Sequence, residues 1–231
     1  MSLPRVGIVS RVGSTRCSES PSGSRGRADA RRARATTLVS VIETRDRQLL
    51  EGILRRDPVW GGYGLGDLDD AQFPRTRWFL SCADGRALAL LYELGHTTLI
   101  TFGDPEPVPG LVRALPLPKE FHVHYPEIHA AGLDPLFEGV RQRYVRLAIR
   151  PTELRDVKRP ERVRVAPLSA ADVPAAHELY AHYPDNWFVA ARVDEGCYVG
   201  GWDGEALVAV GGTHVVSNRT RVAALGDIVT T

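Results

Sequence analysis

The chain has 231 residues, of which 43% are hydrophobic and 25% charged, with a formal net charge of +1. That balance is ordinary for one or two globular domains, offers no global attraction to nucleic acid or acidic lipid, and includes no apolar run of membrane-spanning length. Cys17, Cys82 and Cys197 are odd in number and widely spaced, so neither a disulfide framework nor a zinc site is expected, and a reducing, cytoplasmic setting is.

Residues 1–40 form an Arg/Ser/Gly-rich extension. Arg5, Arg11, Arg16, Arg25, Arg27, Arg31, Arg32 and Arg34 face only Glu19 and Asp29. Such a segment buries too little apolar surface to offset its ordering entropy and is expected to be disordered. Three origins stay open: a mitochondrial-type presequence, a nucleic-acid-binding arm, or translation from a start upstream of the one near Val39 or Val41. The scarcity of lysine, with only Lys119 and Lys158, fits GC-rich coding and favours the last.

Residues 41–150 read as a first domain. A helix ends at Asp57-Pro58-Val59-Trp60, and two strands flank the turn dipeptide Asp84-Gly85. A further strand runs into Gly103-Asp104, followed by a short helix near Leu111–Leu115. A strand at Phe121–Tyr125, a helical stretch over Glu127–Val140 and a strand at Tyr144–Ile149 complete it. His122 and His124 share one side of their strand, and His129 follows, but no carboxylate or cysteine pattern completes a metal site. A linker over 151–162 carries Arg155, Lys158, Arg159 and Arg162 between Pro151 and Pro160, and Arg164 follows it.

Residues 163–231 read as strand, helix, then a three-strand meander. The strand is Val163–Leu168. Ser169 is the expected helix cap, with Val173, Ala176, Leu179 and Tyr180 as the buried stripe and Pro184 as the stop. Tyr198–Trp202 and Ala206–Val216 form a hairpin through Asp203-Gly204. After a turn at Ser217-Asn218-Arg219, Val222–Thr230 is apolar on both alternating sets, the pattern of a strand covered on both faces. The order helix, proline, tryptophan, strand, Asp-Gly turn, strand, strand, Gly-Asp occurs in both halves, which points to a duplicated, tandem architecture.

The strand VRVAPL, the helix ADVPAAHELYAHY, the hairpin GCYVGGWDGEALVAVGGTHVV and the closing VAALGDIVTT resemble the first half of a GNAT-family N-acetyltransferase domain. The resemblance implies an α/β (α+β) fold, a mixed and largely antiparallel sheet flanked by helices. It also implies a degenerate first domain and a second domain truncated at Thr231. In that family the strand matching Val222–Thr230 runs into an Arg/Gln-x-x-Gly-x-Gly/Ala loop, whose backbone N–H groups hold the pyrophosphate of acetyl-CoA. The sequence stops before such a loop, so weak or no acetyl-CoA binding is expected of these residues alone.

Carried over residue by residue, the resemblance places the pantetheine arm and acyl carbonyl on the main chain of Ile228, Val229 and Thr230. Asp227 is then the nearest titratable group and a candidate base, although a Gly-Asp pair within a strand also marks a bulge or a structural hydrogen bond. Tyr180, Tyr183 and Trp187, with Phe188, fall where the family builds one wall of its acceptor pocket, or else close the helix end as core. His177 and His182 do not share a helix face. Gly200-Gly201 and Gly211-Gly212 lack the spacing of a dinucleotide loop.

Two functions are expected. One is transfer of an acetyl group from acetyl-CoA to a small-molecule or peptide amine, without a metal. The other is a non-catalytic GNAT-like binding module. Membrane and nucleic-acid partners are not expected, whereas self-association through an exposed strand 222–230 is.

Overall fold

The protein is described from a computed structural model covering residues 6–14, 40–81, 86–94, 96–158, 160–183, 186 and 188–231, with backbone alone for 6–14 and 94. The strands are β1 (Val6–Ser14), β2 (Val41–Thr44), β3 (Thr76–Ser81), β4 (Ala87–Leu94), β5 (His96–Gly103), β6 (Glu120–Pro126), β7 (Arg141–Arg146), β8 (Val163–Pro167), β9 (Tyr198–Asp203), β10 (Ala206–Ser217) and β11 (Val222–Thr230). The helices are α1 (Arg47–Leu54), α2 (Gly62–Asp67), α3 (Val108–Arg113), α4 (Ala130–Leu133) and α5 (Val173–Tyr180). The chain is α+β with two mostly antiparallel sheets. Among the described residues no helix is long and apolar enough to cross a membrane.

Two compact units divide the chain. One takes the residues up to Gly61 with Gln72–Leu147; the other takes Gly62–Ala71 with Ala148–Thr231. The ten residues from Gly62, read from sequence as part of the first domain, therefore belong to the second unit.

The first unit holds a seven-stranded sheet in the order β2-β3-β4-β5-β6-β1-β7. Among the described residues only β5 and β6 pair in parallel, and α3 makes the crossover that a parallel pair requires. β4 is buried on both faces. Ala87, Ala89 and Leu91 join the cluster around α3 and α4, while Leu88 and Leu90 are also fully buried. β1 pairs antiparallel with β6 and with β7. Disorder throughout residues 1–40 therefore does not hold for 6–14, because the facing edges of β6 and β7 offer backbone donors and acceptors that a third strand satisfies. The same pairing moves the last strand to Arg141–Arg146 from the expected Tyr144–Ile149. The helical stretch over 127–140 is broken into a 3-10 turn, α4 and a second 3-10 turn started by Asp134-Pro135, since a proline cannot continue a helix. The turn at Asp84-Gly85 lies outside the described residues.

The second unit is a four-stranded antiparallel sheet, β11-β10-β9-β8. The Asp172 carboxylate accepts from both the amide and the hydroxyl of Ser169, at 2.7 and 2.8 Å, and these bonds hold its pKa below the ordinary carboxylate value. This fixes the entry to α5, which buries Ala176, Leu179 and Tyr180 against Val210 and Val229. β11 is an edge strand. Val229 is buried, but Leu225 and Ile228 are 69% and 68% exposed, so the expected cover on both faces is only partial.

α2 reads Gly-Tyr-Gly-Leu-Gly-Asp, a sequence with little helix propensity of its own. Tertiary contacts hold it on β10 and β11. The Thr220 hydroxyl donates to the Leu65 carbonyl at 2.9 Å, and the Ser217 hydroxyl donates to the Asp69 carboxylate at 3.0 Å. A Cβ at Gly66 would lie 1.7 Å from a methyl of Val215, a buried β-branched side chain with no rotamer to spare. Gly66→Ala is therefore expected to push α2 off the sheet and cost about 1–3 kcal/mol. Chemical denaturation of the variant checks this, and an unchanged midpoint would contradict the packing.

Candidate functional site

Two bulges in the β10–β11 ladder build the site. Thr213 pairs with Leu225 and Val215 with Ala224, leaving His214 as an extra residue on β10. Gly212 pairs with Gly226 and Val210 with Val229, so Asp227 and Ile228 oppose Gly211 alone. Bulges re-aim side chains, and these two turn His214 and Asp227 toward each other. Asp227 sits at φ 49°, in the left-handed region that aspartate tolerates better than most residues. Gly226 has a different function here. A Cβ there would come within 2.6 Å of the His214 ring, so only glycine leaves room for the imidazole.

His214 Nε2 lies 2.9 Å from Asp227 Oδ2. The Asp227 side chain is 6% exposed and that of His214 23%. A carboxylate only accepts, so Nε2 carries the hydrogen and Nδ1 presents its lone pair. That lone pair faces the Tyr63 hydroxyl, 3.1 Å away, and the two rings meet edge to face with centroids 6.0 Å apart. The result is a line, Tyr63 O–H to His214 Nδ1, then His214 Nε2–H to Asp227. A buried carboxylate orienting an accessible imidazole is the arrangement that general-base chemistry needs.

The same strand carries the other expected residues. The Tyr180 hydroxyl donates to the Asp227 carbonyl, and the Tyr183 hydroxyl donates to the Thr230 carbonyl. Both tyrosines thus clasp the stretch that contains Ile228 and Val229. Tyr180 is buried, stacked on Phe188 at 4.8 Å, and Phe188 meets Tyr198 edge-on at 5.0 Å. Burial, with the nearby Asp227 carboxylate adding, pushes the Tyr180 phenol well above its ordinary value. Its ring is core and its hydroxyl anchors the bulge. Tyr183 is partly exposed. Val229 is buried, while Ile228 and Thr230 face outward. Trp187 lies outside the described residues. His177 meets Phe188 edge-on at 5.1 Å, and His182 is exposed.

The histidines of the first unit have other surroundings. His129 Nε2 donates to the Gly103 carbonyl at 2.9 Å, so its Nδ1 accepts from the Thr101 hydroxyl at 2.8 Å, and burial holds it below the ordinary histidine value. His122 pairs with His96 at 4.6 Å between ring centroids. Burial depresses His124 to about 4. Among the described residues no group of three or more His, Cys, Asp or Glu has metal-holding geometry. In the linker region Arg162 pairs with Asp203 at 3.2 Å, and the Arg164 guanidinium lies over Trp202.

Tyr63 and His214 were absent from the sequence-derived site. Tyr63 sits in a glycine-rich stretch with no apolar period, and His214 lies inside an otherwise apolar strand. A register count could have found His214: pairing Ser217 with Val222 and extending without bulges puts it on the same face as Asp227, as a diagonal neighbour. Comparisons of the chain with protein-family models, with curated proteins and with solved structures give no match.

Proposed function

We infer that the second unit is a GNAT-type acyl-transfer domain that moves an acetyl group from acetyl-CoA to an amine. The observation that carries this reading is the Asp227–His214 pair, set by a double bulge that takes in Ile228 and runs into Val229 and Thr230. Aminolysis of a thioester needs the amine nitrogen to lose a proton while the carbonyl is held by fixed donors. A base beside a stretch of strand main chain at a sheet edge is suited to both. The order of β8, α5, β9, β10 and β11 agrees with the resemblance in the sequence, and the four-stranded sheet is compatible with a GNAT-like fold.

The contrasting reading, a non-catalytic module, draws on one fact. The Tyr180 and Tyr183 hydroxyls are both engaged with β11 backbone, so that aromatic set supports the strand. Titration of isotope-labelled protein with acetyl-CoA and with acetyl-pantetheine separates the two. Acyl transfer predicts shift changes at the amides of 227–230 with both ligands, at comparable weak affinity, since the contacts expected there are to the arm and the acyl group. No change at those amides with either ligand would sink the acyl-transfer reading.

A further inference from the structure

We propose that the site of the second unit is composite: Tyr63, from the Gly62–Ala71 segment, is the group through which protons enter and leave the His214–Asp227 pair. The chemical role rests on the acyl-transfer reading above; the relay itself rests on geometry alone.

Three observations support it. First, Gly62–Ala71 packs with the second unit, although almost eighty residues separate it from the rest of that unit. Second, the segment is fastened at several points. Leu65 accepts from the hydroxyl of Thr220 in the turn between β10 and β11, Asp69 accepts from that of Ser217 at the end of β10, and Gly66 fits against Val215, next to His214. A glycine-rich helix of poor propensity held this way stays in place because of its contacts. Third, Tyr63 is the one residue of α2 that reaches the imidazole. It meets the open Nδ1 lone pair, the side of the ring facing away from Asp227.

This geometry fixes the direction of proton flow. When an acceptor amine attacks, the C–N bond forms at the thioester carbonyl carbon and the nitrogen must lose one proton. Tyr63 takes that proton at its oxygen while passing its own to His214 Nδ1. The imidazolium so formed is held through Nε2–H by the Asp227 carboxylate, which keeps its charge. As the C–S bond breaks, the proton returns by the same route to the departing sulfur. The sum is an amide and a free thiol, with the relay back in its starting state. A phenol is a weak base alone, and its hydrogen bond to an oriented imidazole is what lets it accept.

The test has two readouts on the full chain. The first is nitrogen NMR of the His214 tautomer in wild type, Tyr63→Phe and Asp227→Asn. The relay predicts Nε2–H with a bare, hydrogen-bonded Nδ1 in the wild type, loss of the Nδ1 hydrogen-bond signature in Tyr63→Phe, and loss of the fixed Nε2–H tautomer in Asp227→Asn. The opposite tautomer, or identical spectra in wild type and Tyr63→Phe, overturns the relay whether or not the protein transfers acetyl groups. The second is acetyl transfer from millimolar acetyl-CoA to benzylamine and to a lysine tripeptide. Tyr63→Phe should lower kcat by ~10²-fold with KM within about twofold, and His214→Gln should lower kcat by at least as much. A wild type that transfers, with Tyr63→Phe within about twofold of it, removes Tyr63 from the chemistry. A wild type that transfers to neither amine while showing the predicted NMR signature overturns the acyl-transfer reading and leaves the relay supported.

Discussion

Asp67→Asn should raise the stability of the protein above neutral pH by removing the loss that Asp67 contributes to the wild type between about pH 4 and pH 7. Asp67 ends α2, is 6% exposed, and has no hydrogen-bond or ion-pair partner among the described residues. Burial alone pushes its pKa up to about 7. Its place at a helix C-terminus also disfavours a negative charge. The sign follows directly. Between the unfolded value near 3.9 and about 7, the folded chain holds a proton that the unfolded chain has released, so stability falls as pH rises across that window. The full loss is ~4 kcal/mol, a large share of the 5–15 kcal/mol typical of a domain.

Asparagine cannot ionise, so its curve lacks this fall. Urea midpoints at pH 4.5 and pH 8 for both proteins provide the check. His124 and His129, both depressed by burial, act in the opposite sense. Each contributes stability present above about 6.5 and lost as pH falls toward its folded value. Their contribution cancels in the difference between wild type and variant, which is the quantity to read. Parallel curves would show that Asp67 is solvated or paired. Because α2 also carries Tyr63, a loosening of the helix at high pH should widen the contact with His214 in the wild type and not in the variant.

The second large effect belongs to the first unit. Trp60→Ala should cost about 3–5 kcal/mol, and Trp60→Phe about 1–3 kcal/mol. Trp60 is buried behind the end of α1, and its indole N–H donates to the Thr101 carbonyl at 2.7 Å. The Arg146 guanidinium lies over the ring at 4.5 Å and donates to the Trp60 carbonyl at 2.7 Å. Thr101 is thereby held twice, by Trp60 through its carbonyl and by His129 through its hydroxyl. Alanine leaves a cavity and orphans the Thr101 carbonyl. Phenylalanine keeps most of the ring and removes only the donor. Denaturation of the two variants should therefore rank them wild type, phenylalanine, alanine. Equal midpoints for phenylalanine and alanine would mean the hydrogen bond outweighs the packing, and a cost under about 1 kcal/mol for alanine would contradict the burial of Trp60.

Much of the fold was legible because local rules and tertiary structure agree at those positions. The hairpin expected around Asp203-Gly204 forms, with its two-residue turn one place later, at Gly204-Glu205 between the paired Asp203 and Ala206. Ser169 opens the α5 region, and the stripe Ala176, Leu179, Tyr180 is the buried one. The errors have equally local causes. Asp134-Pro135 interrupts a run that otherwise reads as helix. Val222–Thr230 is apolar on both sets, yet Leu225 and Ile228 are exposed, because a pattern of apolar residues does not reveal which face a neighbour covers. Gly-Tyr-Gly-Leu-Gly-Asp reads as loop by propensity, and its packing on β10 and β11 makes it a helix.

By itself, the sequence determined the order of elements in residues 163–231, the hairpin between β9 and β10, the helix entry at Ser169 and the Gly226-Asp227 position where β11 departs from a regular ladder. All of these depend on φ preferences, capping and period, which act over a few residues. Only the tertiary structure decided what Asp227 faces, that Tyr63 joins it from a segment more than 140 residues away in sequence, and that Tyr180 supports β11 from the core. Register shifts, edge positions and long-range insertions are set by which surfaces close the core, and a local pattern does not encode them.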